Sequence, residues 1–107
     1  MNAFNILSDP SRRRILDLLL QGPKPVNYLV QEIGMSQPVV SKHLRILRNA
    51  GFVTSEPDRQ RRLYSIRAEP LLEVDQWLAP YRRFWSEKLN ALEDYLDEPG
   101  QKETTDG

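Results

Sequence analysis

Gly34-Met35-Ser36-Gln37-Pro38-Val39-Val40-Ser41-Lys42-His43-Leu44-Arg45-Ile46-Leu47 reads as a tight turn running into an amphipathic helix. Ser36 stands where an N-cap is wanted, its hydroxyl able to accept a backbone N–H of the first turn. Pro38 suits that turn, because the N–H it lacks has no intrahelical partner to lose. Val40, Leu44 and Leu47 recur at i, i+4 and i+7 and draw a narrow apolar stripe. At about 100° per residue, Pro38, Lys42 and Arg45 fall on the opposite side, with Val39 and Ser41 at the flanks. A helix that docks by one face and offers Ser, Lys and Arg on the other suits the groove of a polyanion.

The flanking sequence builds a domain around this helix. Ala3, Phe4 and Leu7 predict a short first helix. Asp9 as N-cap and Pro10 at the first helical position open a second. Ile15, Leu16, Leu18, Leu19 and Leu20 make it strongly apolar, and Gly22-Pro23 stops it. Pro23-Lys24-Pro25 reads as a stiff turn. Asn27 is expected to cap a short helix that turns Leu29, Val30 and Ile33 inward and ends at Gly34. Gly51 ends the polar-faced helix.

Beyond it, Phe52-Val53-Thr54 and Leu63-Tyr64-Ser65-Ile66 have the β-branched and aromatic content of two short strands. The turn between them, residues 56–62, carries Arg59, Arg61 and Arg62, which makes a hairpin with a basic tip, a wing. Residues 71–96 hold an apolar seam at 71, 74, 78, 81, 85, 89, 92 and 96, intervals of three and four that mark one long helix. Pro80 must kink that helix or split it in two. The expected fold is mainly α with a small β-hairpin: a winged helix-turn-helix with a long C-terminal dimerisation helix, spanning residues 1–97. Residues 98–107 are polar and expected to be disordered.

With 107 residues the chain has room for one modest core, and without cysteine it has neither disulfides nor thiolate chemistry. No apolar run approaches the roughly 20 residues of a membrane span. The first residues show no positive run ahead of a long apolar stretch, so a cytoplasmic protein without a membrane partner is expected. A net charge of zero argues at first against a nucleic-acid partner. Its distribution reverses that argument. Residues 1–67 hold eleven Lys and Arg against five Asp and Glu, a net +6, and residues 68–107 hold four against ten, a net −6. A basic module joined to an acidic one is the footprint of a nucleic-acid binder with a second, separate role.

Four pieces in order resemble the ArsR-type winged-helix repressors. They are Ser8-Asp9-Pro10-Ser11-Arg12-Arg13-Arg14-Ile15-Leu16, the helix-turn-helix, the exit Asn49-Ala50-Gly51-Phe52-Val53, and the arginine-rich hairpin ending in Tyr64-Ser65-Ile66. The resemblance covers about residues 3–96. Trp77-Leu78-Ala79-Pro80-Tyr81-Arg82-Arg83-Phe84-Trp85 is similar to a branch of that family lacking metal sites. The resemblance implies a homodimer that binds a promoter and represses transcription, commonly of its own operon. Family members sense metals through cysteines before the turn, or through Asp and His two residues apart on the last helix. Here there is no Cys, and Trp77 stands two residues after Asp75. No metal site and no cofactor is therefore expected, and whether a small-molecule effector exists stays open.

Ser36, Gln37, Ser41, Lys42 and Arg45 are the candidates for DNA contact. Gln pairs bidentately with adenine, and Arg or Lys with the O6 and N7 of guanine. Arg48 either contacts phosphate or simply solvates the helix end. Arg59, Arg61 and Arg62 are candidates for minor groove or phosphate. His43 lies about 60° from the apolar stripe and is expected to be half-buried, packing on or bonding to a neighbouring helix. Of Arg12, Arg13 and Arg14, one or two could reach phosphate while the others pair with carboxylates. The candidate dimer interface comprises Phe4, Leu7, Leu71, Val74, Leu78, Tyr81, Trp85, Leu89 and Leu92. So small a domain has too little surface of its own to cover a second aromatic stripe.

Catalysis finds no support: the single His has no evident Ser and Asp partnership, and no glycine-rich phosphate loop is present. The alternatives to a DNA-binding repressor are a dimeric protein-interaction adaptor and a ligand-responsive sensor of the same fold.

Overall fold

The computed structural model describes residues 2–97, so the expected tail, 98–107, lies outside the described residues. The elements are α1 (Ala3–Leu7), α2 (Pro10–Leu19), β1 (Lys24–Pro25), α3 (Val26–Ile33), α4 (Gln37–Asn49), β2 (Val53–Asp58), β3 (Arg61–Ile66) and α5 (Leu71–Asp97). Among the described residues, those up to Val74 form one compact unit and residues 75–97 form a second.

Capping explains the first two helices. Asn2 Oδ1 accepts the Asn5 N–H at 2.8 Å and starts α1. Asp9 Oδ1 accepts the N–H groups of Ser11 at 2.7 Å and Arg12 at 3.2 Å, with Pro10 at the head of α2 as the sequence predicts. The buried residues of α1 are Ala3 and Ile6, whereas Phe4 is exposed. Arg12 pairs with the Asp9 carboxylate at 3.9 Å, as expected for part of this run, and both Arg12 and Arg13 also serve the end of α1. Arg12 Nε donates to the Ile6 carbonyl at 2.8 Å and Arg13 Nη1 to the Leu7 carbonyl at 2.6 Å. Those carbonyls end α1 without intrahelical partners, and cationic donors are the natural match for them.

The core joins Ile15, Leu16, Leu18 and Leu19 of α2 to Leu29 of α3, then to Val40, Leu44 and Leu47 of α4, and to Phe52 and Val53. Leu20, expected on the apolar face of α2, is 72% exposed, because it is the C-cap beyond the last core-facing turn. Helix α3 starts two residues earlier than expected, with Pro25 as N-cap and no side-chain cap bond, so Asn27 lies inside it. The segment read as a stiff turn supplies a strand: Lys24 pairs with Tyr64 and Pro25 with Leu63.

The hairpin is therefore part of a three-stranded antiparallel sheet in the order β1-β3-β2. The wing strands are also longer than predicted. Pairing runs from Val53–Ile66 to Asp58–Arg61, leaving only Arg59 and Gln60 as the loop. Arg59 takes the left-handed region at φ 62°, a conformation the sequence does not announce without glycine or asparagine. Pro25 and Pro57 both lie on edge strands, where a missing donor is tolerated.

Two glycines frame α4. Gly34 ends α3 at φ 79°, its N–H donating to the Val30 carbonyl at 2.9 Å. Ser36 is the N-cap as predicted, but its hydroxyl makes no cap bond; the exposed start of the helix leaves its first N–H groups open to solvent. At the other end, Gly51 at φ 83° donates to the Arg48 carbonyl at 3.0 Å and Phe52 to the Leu47 carbonyl at 2.9 Å. This is a Schellman motif, with Leu47 and Phe52 both buried in the core.

Pro80 does not split the last element. Helix α5 runs unbroken from Leu71 to Asp97 with the proline inside it. Arg82 Nη1 pairs with Asp75 Oδ1 at 2.9 Å and its Nη2 donates to the Asp75 carbonyl at 3.3 Å, tying together the turns on either side of Pro80. Leu7, Leu71 and Val74, expected on the dimer face, are partly buried and pack against the chain's own core. Leu71 and Val74 belong to the first turn of α5, within the compact unit that ends at Val74.

Candidate nucleic-acid interface

Burial of Val40, Leu44 and Leu47 fixes the rotation of α4, and the residues on its far side follow. Gln37, Lys42, Arg45 and Arg48 are exposed, and Ser41 is half-buried. Gln37 Nε2 donates to Ser41 Oγ at 3.2 Å, so these two predicted contacts form one i,i+4 pair on the open face. Lys42 and Arg45 make no side-chain hydrogen bond or ion pair among the described residues. Their charges are available to a partner.

The wing arginines have different surroundings. Arg59 at the tip is exposed and has no bonded partner among the described residues. Arg61 pairs with Asp58 at 3.3 Å, which neutralises part of its charge. Arg62 turns back toward the base of the wing, where its Nε and Nη2 donate to Ser55 Oγ at 3.2 and 3.1 Å. Arg48 Nη1, from the last turn of α4, donates to the same oxygen at 3.4 Å. The helix and the wing are thus tied through a single hydroxyl, a residue that sequence reasoning missed. The available signal was period-2 alternation: Val53 is buried, so Ser55 shares its inward face.

This junction opens onto a concavity of about 540 Å³ lined by Arg48, Gly51, Val53, Thr54, Ser55, Arg62, Arg67, Glu69 and Pro70. Arg67 is taken by Glu69, both hydrogen bonds being 3.4 Å. The Glu69 carboxyl is held below the usual range, first by its own backbone N–H and then by Arg67. No carboxylate pairs with Arg48 or Arg62 among the described residues.

His43 is half-buried, as expected, but its Nδ1 is buried and accepts or donates no hydrogen bond among the described residues. It packs rather than bonds. Desolvation alone would raise the Asp9 pKa, but the Arg12 and Ser11 N–H bonds, with His43 and Arg12 behind them, bring it below the usual carboxylate range.

The second unit carries the other candidate surface. No residue of α5 is buried, and Tyr81, Trp85, Leu89 and Leu92 are each about half exposed or more. Leu78 is half-buried. No helix among the described residues is long and apolar enough to cross a membrane.

A helix pair joined by a glycine turn, a polar-faced second helix and a basic hairpin behind it define a winged helix-turn-helix protein. Comparison with known proteins specifies it further. Residues 9–55 match the family described as bacterial regulatory protein, arsR family. The HTH-type transcriptional regulator Rv2034 of Mycobacterium tuberculosis is 33% identical over 98 residues, covering 92% of this chain and 89% of that protein. The transcriptional repressor SdpR of Bacillus subtilis is 34% identical over 77 residues, 72% of this chain and 86% of its own. The solution structure of the homodimeric winged helix-turn-helix DNA-binding domain of Mb0332 from Mycobacterium bovis superposes with a TM-score of 0.58. Its sequence identity is 29%, and the alignment covers 78% of this chain and 74% of that one. The chain belongs to the arsR family of bacterial regulatory proteins.

Proposed function

We propose that the protein is a homodimeric transcriptional repressor that recognises a near-palindromic operator. Two copies of α4 would occupy successive major grooves about 34 Å apart, with each wing over the neighbouring backbone or minor groove. One observation carries this reading: Gln37, Ser41, Lys42 and Arg45 gather on the open face of α4 while Val40, Leu44 and Leu47 lock the other face in the core. Repression follows from occupying promoter DNA, as the name of the Bacillus subtilis relative supports. Dimerisation is supported by the homodimeric Mycobacterium bovis structure and by the exposed Tyr81, Trp85, Leu89 and Leu92. Repression of its own operon is the expected arrangement.

Arg45→Ala tests the reading head. It should weaken binding to the specific duplex by about 1–3 kcal/mol and leave the dimer intact. Titrations by fluorescence anisotropy, with oligomeric state measured alongside, decide the matter. Unchanged affinity removes Arg45 from the site, and failure of the wild-type protein to bind any duplex in a salt-dependent manner favours the protein-interaction adaptor.

A further inference from the structure

We infer that Arg48, Ser55 and Arg62 form a seat for one phosphate of the DNA backbone, at the junction of the recognition helix and the wing. The inference rests on the DNA-binding reading and adds to it a residue, Ser55, and the convergence of Arg48 and Arg62 on one phosphodiester. Two guanidinium groups from different elements are brought to one hydroxyl oxygen, at 3.4 Å from Arg48 and at 3.2 and 3.1 Å from Arg62. Like charges held so close repel, and no carboxylate relieves them among the described residues. The one acid in the concavity, Glu69, is engaged by Arg67.

The geometry matches what a phosphate oxygen needs. Ser55 Oγ accepts from both arginines, which leaves its O–H free to donate outward. Each guanidinium keeps further N–H donors in a planar fork suited to phosphate. The seat therefore presents donors from three side chains around an open concavity. An anion arriving there replaces repulsion between two arginines with attraction to both. Position adds a mechanical consequence. Because α4 supplies Arg48 while β2 and β3 supply Ser55 and Arg62, a single bound phosphate fixes the angle between reading helix and wing. Arg48 and Arg62 then set register on the duplex and carry no base preference.

A competing role is local: Arg48 offsets the partial negative charge at the end of α4, and Ser55 merely tethers the wing. Salt dependence separates the two. The probe is a duplex selected by the full-length wild-type protein from a randomised pool, with affinities measured across a salt series. Arg48→Ala/Arg62→Ala should weaken binding and lower the slope of log K against log salt by about one, the value for one lost phosphate. Ser55→Ala should weaken binding several-fold, and Ser55→Thr, which retains the hydroxyl, should restore it.

A scan of duplexes bearing one uncharged methylphosphonate linkage should find one position per half-site that weakens the wild type but not the double variant. An unchanged slope, or a drop of about two, overturns the single-phosphate seat, as does a scan with no such position. Inorganic phosphate that releases the duplex at constant ionic strength, through Arg48 and Arg62, would assign the seat to a free anion and overturn the backbone assignment. Absence of any duplex binding by wild-type protein is a different failure, which takes the DNA-binding reading with it.

Discussion

At the scale of single residues, backbone conformation and capping decide more than side-chain chemistry. Gly51 sits at φ 83°, and a Cβ there would meet only Pro70 Cγ at an ordinary 3.6 Å. Space is no obstacle, so Gly51→Ala should cost only the left-handed backbone strain, about 1–2 kcal/mol. A urea titration should show a lower midpoint at unchanged slope, and an unshifted midpoint would refute the strain argument. Asp9 gives a pH-dependent counterpart. Its pKa is lowered in the fold, so its stabilising contribution is present above the usual carboxylate range and lost as pH falls through that range. Asp9→Ala should cost about 1 kcal/mol near neutrality and flatten the acid side of the stability profile. Asp9→Asn keeps an acceptor for the Ser11 and Arg12 N–H groups and should recover most of the neutral-pH loss without the acid dependence. A wild-type profile matching that of Asp9→Asn on the acid side would contradict the assignment.

At the scale of elements, helices were legible and the sheet only in part. The Asp9-Pro10 start, the Gly34 and Gly51 stops and the stripe of Val40, Leu44 and Leu47 are local signals, and all three are in place. They are local because caps and i,i+4 packing involve neighbours in sequence. Strand β1 is two residues long and exists only because Tyr64 and Leu63 lie opposite it, so nothing in Lys24-Pro25 could announce it. The wing strands extend beyond the expected ones because Glu56, Pro57, Asp58, Arg61 and Arg62, loop-like by composition, are paired across the hairpin. Cross-strand pairing overrides that propensity. The candidate reading residues on α4 followed from helical geometry once its buried stripe was known. Ser55 did not, because its role depends on Arg48 and Arg62 converging from separate elements.

At the scale of the whole molecule, the apolar seam of α5 divides between two tasks. Leu71 and Val74 complete the core of the first unit, whereas Tyr81, Trp85, Leu89 and Leu92 remain exposed. The sequence showed one continuous seam, and only tertiary packing could show where intramolecular burial stops. Trp85 is 54% exposed and Leu89 61%, an area of aromatic and aliphatic surface that a lone helix does not ordinarily leave to water. In the proposed homodimer, Trp85→Ala removes a central anchor. It should weaken self-association by roughly 2 kcal/mol or more, read by sedimentation equilibrium. A variant that sediments as a dimer of wild-type stability would exclude Trp85 from the interface.

The +6 and −6 halves of the chain fit the same division of labour, a basic reading unit and an acidic remainder. In the proposed homodimer, a two-fold pair of α4 helices reads a two-fold DNA sequence. Selection of duplexes from a randomised pool by the full-length protein tests it most directly. The predicted outcome is an enriched inverted repeat whose half-site centres lie about one helical turn, or a whole multiple of it, apart. Enrichment of a single unrepeated motif, or no enrichment at all, would contradict it.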